Sequence, residues 1–184
     1  MIKIQIQEIG LKMALKYLIG SIMLFIFKIL FISPVRVLFL KFMGAKIGKG
    51  TVIEDITFIN LYRKGFRALK IGEKCFLGSG TMLDLADEII LEDSVTIAER
   101  VIILTHFNVG YKDHPLQNYY PPYQKPVRIK SGSFIGSGTI ILPGVIIGSN
   151  SVVGAGSLVR NNVPDFHVVG GTPAKTIKVL KKSN

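Results

Sequence analysis

The chain has 184 residues, 48% of them apolar, and a mean hydropathy of +0.42, which suits one well-cored domain with a short accessory segment and excludes intrinsic disorder. Its formal charge of +11 sits at the two ends: residues 1–50 hold eight Lys or Arg against the single acid Glu8, Lys175, Lys178, Lys181 and Lys182 fall in the last fifteen residues, and the middle is neutral. That split points to anionic lipid, phosphate or nucleic acid at the ends and excludes a basic core domain.

Residues 1–43 form the first predicted element, a basic, apolar helical segment. From Tyr17 to Val35 the only charge is Lys28, and Pro34 ends the run. The longest charge-free piece, Tyr17–Phe27, is shorter than the ~18–20 residues of a spanning helix. No small-residue cleavage site follows, so a cleaved signal peptide is not expected. One reading is a helix in the membrane interface, with Lys12, Lys16, Lys28 and Arg36 meeting lipid headgroups. The other is a helical cap packed on the main domain or on a neighbouring subunit.

The next stretch, residues 44–171, is organised by a period of six. Apolar residues recur at Ile47, Ile53 and Ile59, then at Ile71, Leu77 and Leu83, and after a two-residue slip at Leu91, Ile97 and Ile103. A second series runs Ile129, Ile135, Ile141, Ile147, Val153 and Val159 without a break. Gly follows the apolar residue at 48, 72, 78, 136, 148 and 154, and small or β-branched residues such as Thr51, Thr81, Thr139 and Ser151 stand four places on. A helix cannot keep one face at this period, because six residues turn it through about 600°. Short strands joined by tight turns can, with the apolar residue inward, Gly allowing the turn and each coil buried on the next. Cys75, the single cysteine, lies inside this repeat and reads as a packed side chain in a reducing compartment.

Two stretches break the pattern. Residues 60–70 keep the phase but lose the repeat, and residues 104–128 lose the phase as well. The second is long and rich in Tyr, Pro and His, and a loop of more than about 12–15 residues in a compact repeat is usually functional. Residues 172–184 form a basic C-terminal segment.

The segments FMGAKIGKGTVI (Phe42–Ile53) and KPVRIKSGSFIGSGTIILPGVIIGSNSVVGAGSLVRNNVPDFHVVGGTPAKTIK (Lys125–Lys178) resemble the hexapeptide-repeat acyltransferases, particularly the maltose, galactoside and exopolysaccharide O-acetyltransferases. The resemblance implies a mostly β chain, a left-handed parallel β-helix with an N-terminal helical segment and a short C-terminal helix. It also implies a homotrimer with active sites between subunits, and acetyl-CoA as donor with no metal.

Acyl transfer to a hydroxyl needs a base, an oxyanion donor and alignment of both substrates. Among the three histidines, His106 stands where the resemblance places the base, and His114, in Lys112-Asp113-His114-Pro115, is the alternative. His167 lies in a terminal turn and reads as structural. The resemblance carries the backbone N–H of Ser137 over as oxyanion donor. Phe134, Ala155, Arg160, Lys175 and Lys178 then fall on positions that line coenzyme A. Asp84 and Asp87 are candidates for binding the acceptor or orienting the histidine. An Asn expected beside them is absent from GSGTMLDLAD, with Ser79 near its place. Lys181 and Lys182 read as a solvated tail.

The expected reaction is acetylation of a sugar or polysaccharide hydroxyl by direct His-assisted attack, on the cytoplasmic side and peripheral to the membrane. The alternatives are N-acetylation of a nucleotide-linked amino sugar and a non-catalytic trimeric scaffold at the membrane. A zinc site is not expected, because the three histidines lack converging spacing. Nucleic-acid binding is not expected from a chain with a neutral centre and no binding module.

Overall fold

The computed structural model describes residues 10–111 and 113–181. Helix α1 (Leu11–Ile29) and helix α2 (Ser33–Phe42) come first, with Pro34 in the first turn of α2, where its missing N–H costs nothing. Among the described residues no helix is long and apolar enough to cross a membrane.

The chain then winds into short strands that stack in three sheets. The first sheet holds Lys46–Ile47, Leu69–Ile71, Ile89–Leu91, Val127–Ile129 and Ile146–Ile147; the third holds Thr57–Ile59, Met82–Asp84, Ile102–Ile103, Ile140–Ile141 and Leu158–Val159. The second runs from Val52–Ile53 through Phe76–Leu77, Thr96–Ile97, Phe134–Ile135 and Val152–Val153 to His167–Gly170. Pairing between coils is parallel, and where the repeat is regular the partner lies three hexads on, as Phe134 with Val152 and Ile140 with Leu158. The inward residues of the periodic series are buried in one continuous core, with one exception: in the strand Thr57–Ile59 it is Phe58, level with Leu83, that points inward, and Ile59, expected there, is only half-buried. Each strand is too short to be stable alone, so stability comes from coil stacking on coil.

Three corners join the sheets, and the glycines divide between two roles there. Gly48, Gly72, Gly78, Gly136 and Gly148 were expected to allow the turn, but they adopt ordinary backbone angles. What they allow is close approach: a Cβ on Gly136 would lie 2.5 Å from the backbone nitrogen of Ala155 in the next coil. The left-handed backbone falls two residues later, at Gly50, Gly80 and Gly138, and also at Lys74, Arg100 and Asn150.

The C-terminal segment corrects a second expectation. It forms no helix; Lys175–Val179 is a strand antiparallel to His167–Gly170, closing the free edge of the second sheet. Its β-branched Thr176, Ile177 and Val179 favour that choice. Lys182 lies outside the described residues, as do residues 1–9 of the N-terminal segment.

Every departure from the regular hexads on the third sheet's far side leaves from one corner, between the third and first sheets. The first insertion, between Ile59 and Leu69, holds helix α3 (Leu61–Lys64) and a 3₁₀ turn at Gly65–Ala68. The two-residue slip follows Asp84 one coil later, and the long insertion leaves after Ile103 in the next. The long insertion opens with a small hairpin, His106–Phe107 against Tyr123–Gln124. Helix α1 rests against α3, with Gly20 facing Leu61.

Gly136→Ala is expected to lower stability by about 1–3 kcal/mol, because the methyl group must push the next coil away. Urea unfolding of the full chain measures this; an unchanged midpoint would mean that the coils are not held this closely.

Candidate active site

Asp84 ends the strand Met82–Asp84 with its side chain fully buried, and five donors converge on it. Oδ1 accepts from Asn60 Nδ2 at 2.7 Å and from the Ala86 N–H at 3.1 Å. Oδ2 accepts from the N–H groups of Thr105 and His106 at 2.9 and 3.1 Å, and from His106 Nδ1 at 2.5 Å. Burial alone would raise the Asp84 pKa, but the hydrogen bonds from His106, Asn60 and Thr105 outweigh it and hold the carboxyl below its ordinary value. The carboxylate therefore stabilises the fold above the ordinary carboxylate range, and this contribution is lost as pH falls through the lower folded value.

The His106 ring is thereby oriented. An ionised carboxylate can only accept, so Nδ1 carries the proton and Nε2 is left with its lone pair. The side chain is 23% exposed and lines a cavity of about 360 Å³ with Arg63, Phe107, Asn108, Tyr123 and Gln124. Phe107 and Tyr123 stack there with ring centres 5.6 Å apart. The result is a partly open imidazole with a free basic nitrogen beside an aromatic wall.

The neighbouring groups hold the corner together. Thr105 Oγ1 donates to the Asp84 carbonyl at 2.7 Å and accepts from the Asp87 N–H at 2.9 Å. Asp87 forms an ion pair with Lys64 of α3 and caps the Glu88 N–H at 2.8 Å.

The other two histidines are engaged differently. His114 Nδ1 accepts from the Leu116 N–H at 3.2 Å and caps a 3₁₀ turn at Pro115–Asn118, with no carboxylate bonded to its ring among the described residues. His167 Nδ1 meets the Asp165 carbonyl at 2.8 Å. Cys75 is buried, its Sγ 3.0 Å from the Glu92 carbonyl, and desolvation pushes its thiol pKa up, which suits packing.

Asn60 is the residue that sequence reasoning missed. Ser79, expected near the place of an absent Asn, stands exposed in the turn between the second and third sheets, away from His106. Asn60 lies one residue past Ile59, which pairs with Asp84, so coil arithmetic across the insertion places it beside the carboxylate.

Ser137 and Ala155 also stand exposed at that second-to-third-sheet corner, with Phe134 on the outer face of the second sheet just before it. Ser137 Oγ donates to Glu99 at 3.0 Å, while its N–H finds no acceptor among the described residues. Arg160 and Lys175 line one cavity near the C-terminal end, and Lys178 is exposed on the last strand. One copy of the chain therefore places His106 and Ser137 on different corners. Among the described residues no group of His, Cys, Asp or Glu could hold a metal ion.

The family described as bacterial transferase hexapeptide (six repeats) matches residues 126–161. A serine acetyltransferase of Buchnera aphidicola subsp. Schizaphis graminum is 37% identical over 115 residues, 59% of this chain and 40% of that protein. The chain thus spans about 40% of the length of the curated relatives it matches. A galactoside acetyltransferase in complex with coenzyme A shares the fold at 27% identity and a TM-score of 0.78, over 94% of this chain and 84% of that one. A maltose O-acetyltransferase of Clostridium difficile 630 does so at 25% identity and 0.76, over 94% and 90%. With these neighbours the three-sheet helix is left-handed.

Asp84→Asn is expected to cost about 1–3 kcal/mol, since buried donors lose an ionised acceptor. Long-range ¹H–¹⁵N spectra at neutral pH should report the Nδ1–H tautomer of His106 in the wild type and lose that preference in the variant. The same tautomer in both proteins would show that Asp84 does not orient the ring.

Proposed function

We propose that the chain, whose residues 126–161 match the bacterial transferase hexapeptide family, is an acetyl-CoA-dependent O-acetyltransferase acting on a sugar or glycan hydroxyl. The observation that carries this reading is the Asp84–His106 pair, which engages Nδ1, at an aromatic-walled cavity that His106 lines.

In this reading His106 Nε2 takes the proton from the acceptor hydroxyl as its oxygen attacks the thioester carbonyl. The Asp84 carboxylate stabilises the imidazolium that forms, and Asn60 and two backbone N–H groups keep that carboxylate ionised and in place. The oxyanion is held by the Ser137 N–H. As the tetrahedral intermediate collapses, the carbon–sulfur bond breaks and the coenzyme A thiolate takes the proton back from His106. No acyl-enzyme is formed, so a buried Cys75 is no obstacle. The stacked Phe107 and Tyr123 offer a flat apolar wall for a sugar ring.

For the donor, the exposed Ala155 leaves room beside the Ser137 turn, and Arg160, Lys175 and Lys178 offer charge to its phosphates. Because His106 and Ser137 stand on different corners, the site is completed when the Ser137 corner of one copy meets the His106 corner of the next, as in a homotrimer.

The helix pair would lie on the cytoplasmic membrane surface. Supporting this, Leu18, Ile22 and Phe25 of α1, Phe31 between the helices and Phe42 at the end of α2 are exposed, with Lys12 and Lys41 among them.

Release of free thiol from acetyl-CoA, against a panel of sugars and glycans, tests the reaction. Acceptor-dependent release should fall about 10²–10⁴-fold in His106→Ala and little in His114→Ala. His106→Ala chains mixed with Ala155→Trp chains, each inactive alone, should regain activity on co-assembly. No acceptor-dependent release in the wild type, or no rescue on mixing, would sink the reaction or the shared site respectively.

For the surface, the full chain should float with phosphatidylglycerol vesicles, and the triple variant Leu18→Ser, Ile22→Ser, Phe25→Ser should stay behind. Equal flotation of the two would remove the membrane reading.

A further inference from the structure

The groove between α1 and the first insertion opens toward His106. A cavity of about 630 Å³ beneath α1 is lined by Met13, Lys16, Tyr17, Tyr62, Arg63 and Lys64, and reaches Gln124. The His106 cavity is also bounded by Arg63 and Gln124, which hydrogen-bond to each other at 3.2 Å. Further along α1 the groove continues between Ile19, Gly20 and Met23 on one side and Leu61 and Phe66 on the other. A path therefore runs from the imidazole, past Arg63, into an apolar slot under a helix whose outer face is itself apolar.

The charges along this path have one sign. Lys16, Arg63, Lys64 and Arg67 line these cavities, and no Asp or Glu does. Lys64 is paired with Asp87, but Lys16, Arg63 and Arg67 have no carboxylate within ion-pair distance among the described residues. The hydrogen-bond partners of Arg63 are the neutral Tyr62 hydroxyl and Gln124. Uncompensated cations beside an apolar slot suit an anion that carries a hydrocarbon chain. Arg presents a planar fork to phosphate, and Lys a compact charge.

We propose, resting on the acetyltransferase reading, that the acceptor is a glycan carried on a lipid phosphate. The sugar lies at His106, the phosphate at Arg63 and Lys16, and the hydrocarbon in the slot formed by Ile19, Met23 and Leu61, leading out to the apolar face of α1. The distance constraint is chemical: Arg63 lines the cavity of the base as well as the groove, so the acylated sugar stands near the lipid end of the glycan.

Calorimetry on the full chain with farnesyl phosphate tests this, with farnesol, inorganic phosphate and UDP as comparison probes and coenzyme A titrated separately. Farnesyl phosphate should bind at least about tenfold tighter than farnesol or inorganic phosphate, and Lys16→Gln with Arg63→Gln should erase that margin. Thermal melts verify that the variant is folded, and Met23→Asn gives a second variant that should weaken farnesyl phosphate and leave inorganic phosphate unchanged. Equal binding of farnesol and farnesyl phosphate overturns the phosphate site. UDP binding as tightly as farnesyl phosphate assigns the cations to a sugar nucleotide and overturns the lipid. Coenzyme A binding without farnesyl phosphate binding defeats this proposal and leaves the acetyltransferase reading standing. A farnesyl phosphate margin without coenzyme A binding supports the lipid-phosphate site while defeating that reading.

Discussion

Each coil must land on the coil before it, and the molecule depends on that. Where coils touch at the corners they approach so closely that a single Cβ cannot be admitted, as Gly72 shows against the backbone of Glu92 and Asp93 and Gly148 against Pro164 and Asp165. Inward apolar side chains fill the interior, and the backbone of each strand is satisfied only by its neighbours. Extra residues therefore cannot be inserted within a strand or at a crowded corner. They have to leave where the corner is open, between the third and first sheets, and three successive coils use it. The site follows from this, because those coils bring Asn60, Asp84 and His106 to one place.

Burying a carboxylate there is costly, and the fold answers with geometry. Five donors from four residues surround Asp84, three of them backbone N–H groups, of which those of Thr105 and His106 stand at the start of the outgoing insertion. A half-satisfied carboxylate at this depth would take up a proton and lose its hold on the ring. The same arrangement that makes the buried charge tolerable also fixes which imidazole nitrogen is basic. Stability and chemistry share one set of bonds.

The period of six was legible because inward positions tolerate only apolar side chains, and it located the coils from Ile47 to Val159. The same arithmetic marked both insertions and the slip after Leu83, although it did not reveal that they share a corner. Asn60 was hidden because the residue it serves is 24 positions away and an insertion intervenes. The role of Gly136 was misread because close approach leaves no local signal distinct from a turn; the positive angle belongs to Gly138. The last strand was missed because its five exposed residues show no burial alternation, and its pairing partner His167–Gly170 is fixed by the sheet edge rather than by its own sequence. In the proposed reading His106 and Ser137 meet through a second copy, which the pattern within one chain does not display.

The basic N-terminus resolves into separate tasks once its residues are placed. Arg36 is buried and bonds carbonyls: its guanidinium donates to the Leu30 carbonyl at 2.5 Å and the Ile53 carbonyl at 3.4 Å, and lies 5.9 Å from the Phe27 ring centre. It ties the end of α1 to the second sheet, using carbonyls that a helix end leaves free. Lys28 pairs with Asp55 across the same junction. These two cations fix the far end of α1, and Phe27 packs edge-on against Phe58 beneath them. Toward the near end of α1, Gly20 rests against Leu61 and Tyr17 stacks on Tyr62. Lys28 and Arg36 anchor one end of α1, and toward the other end Lys16, which takes no part in that anchoring, faces the groove beside Arg63.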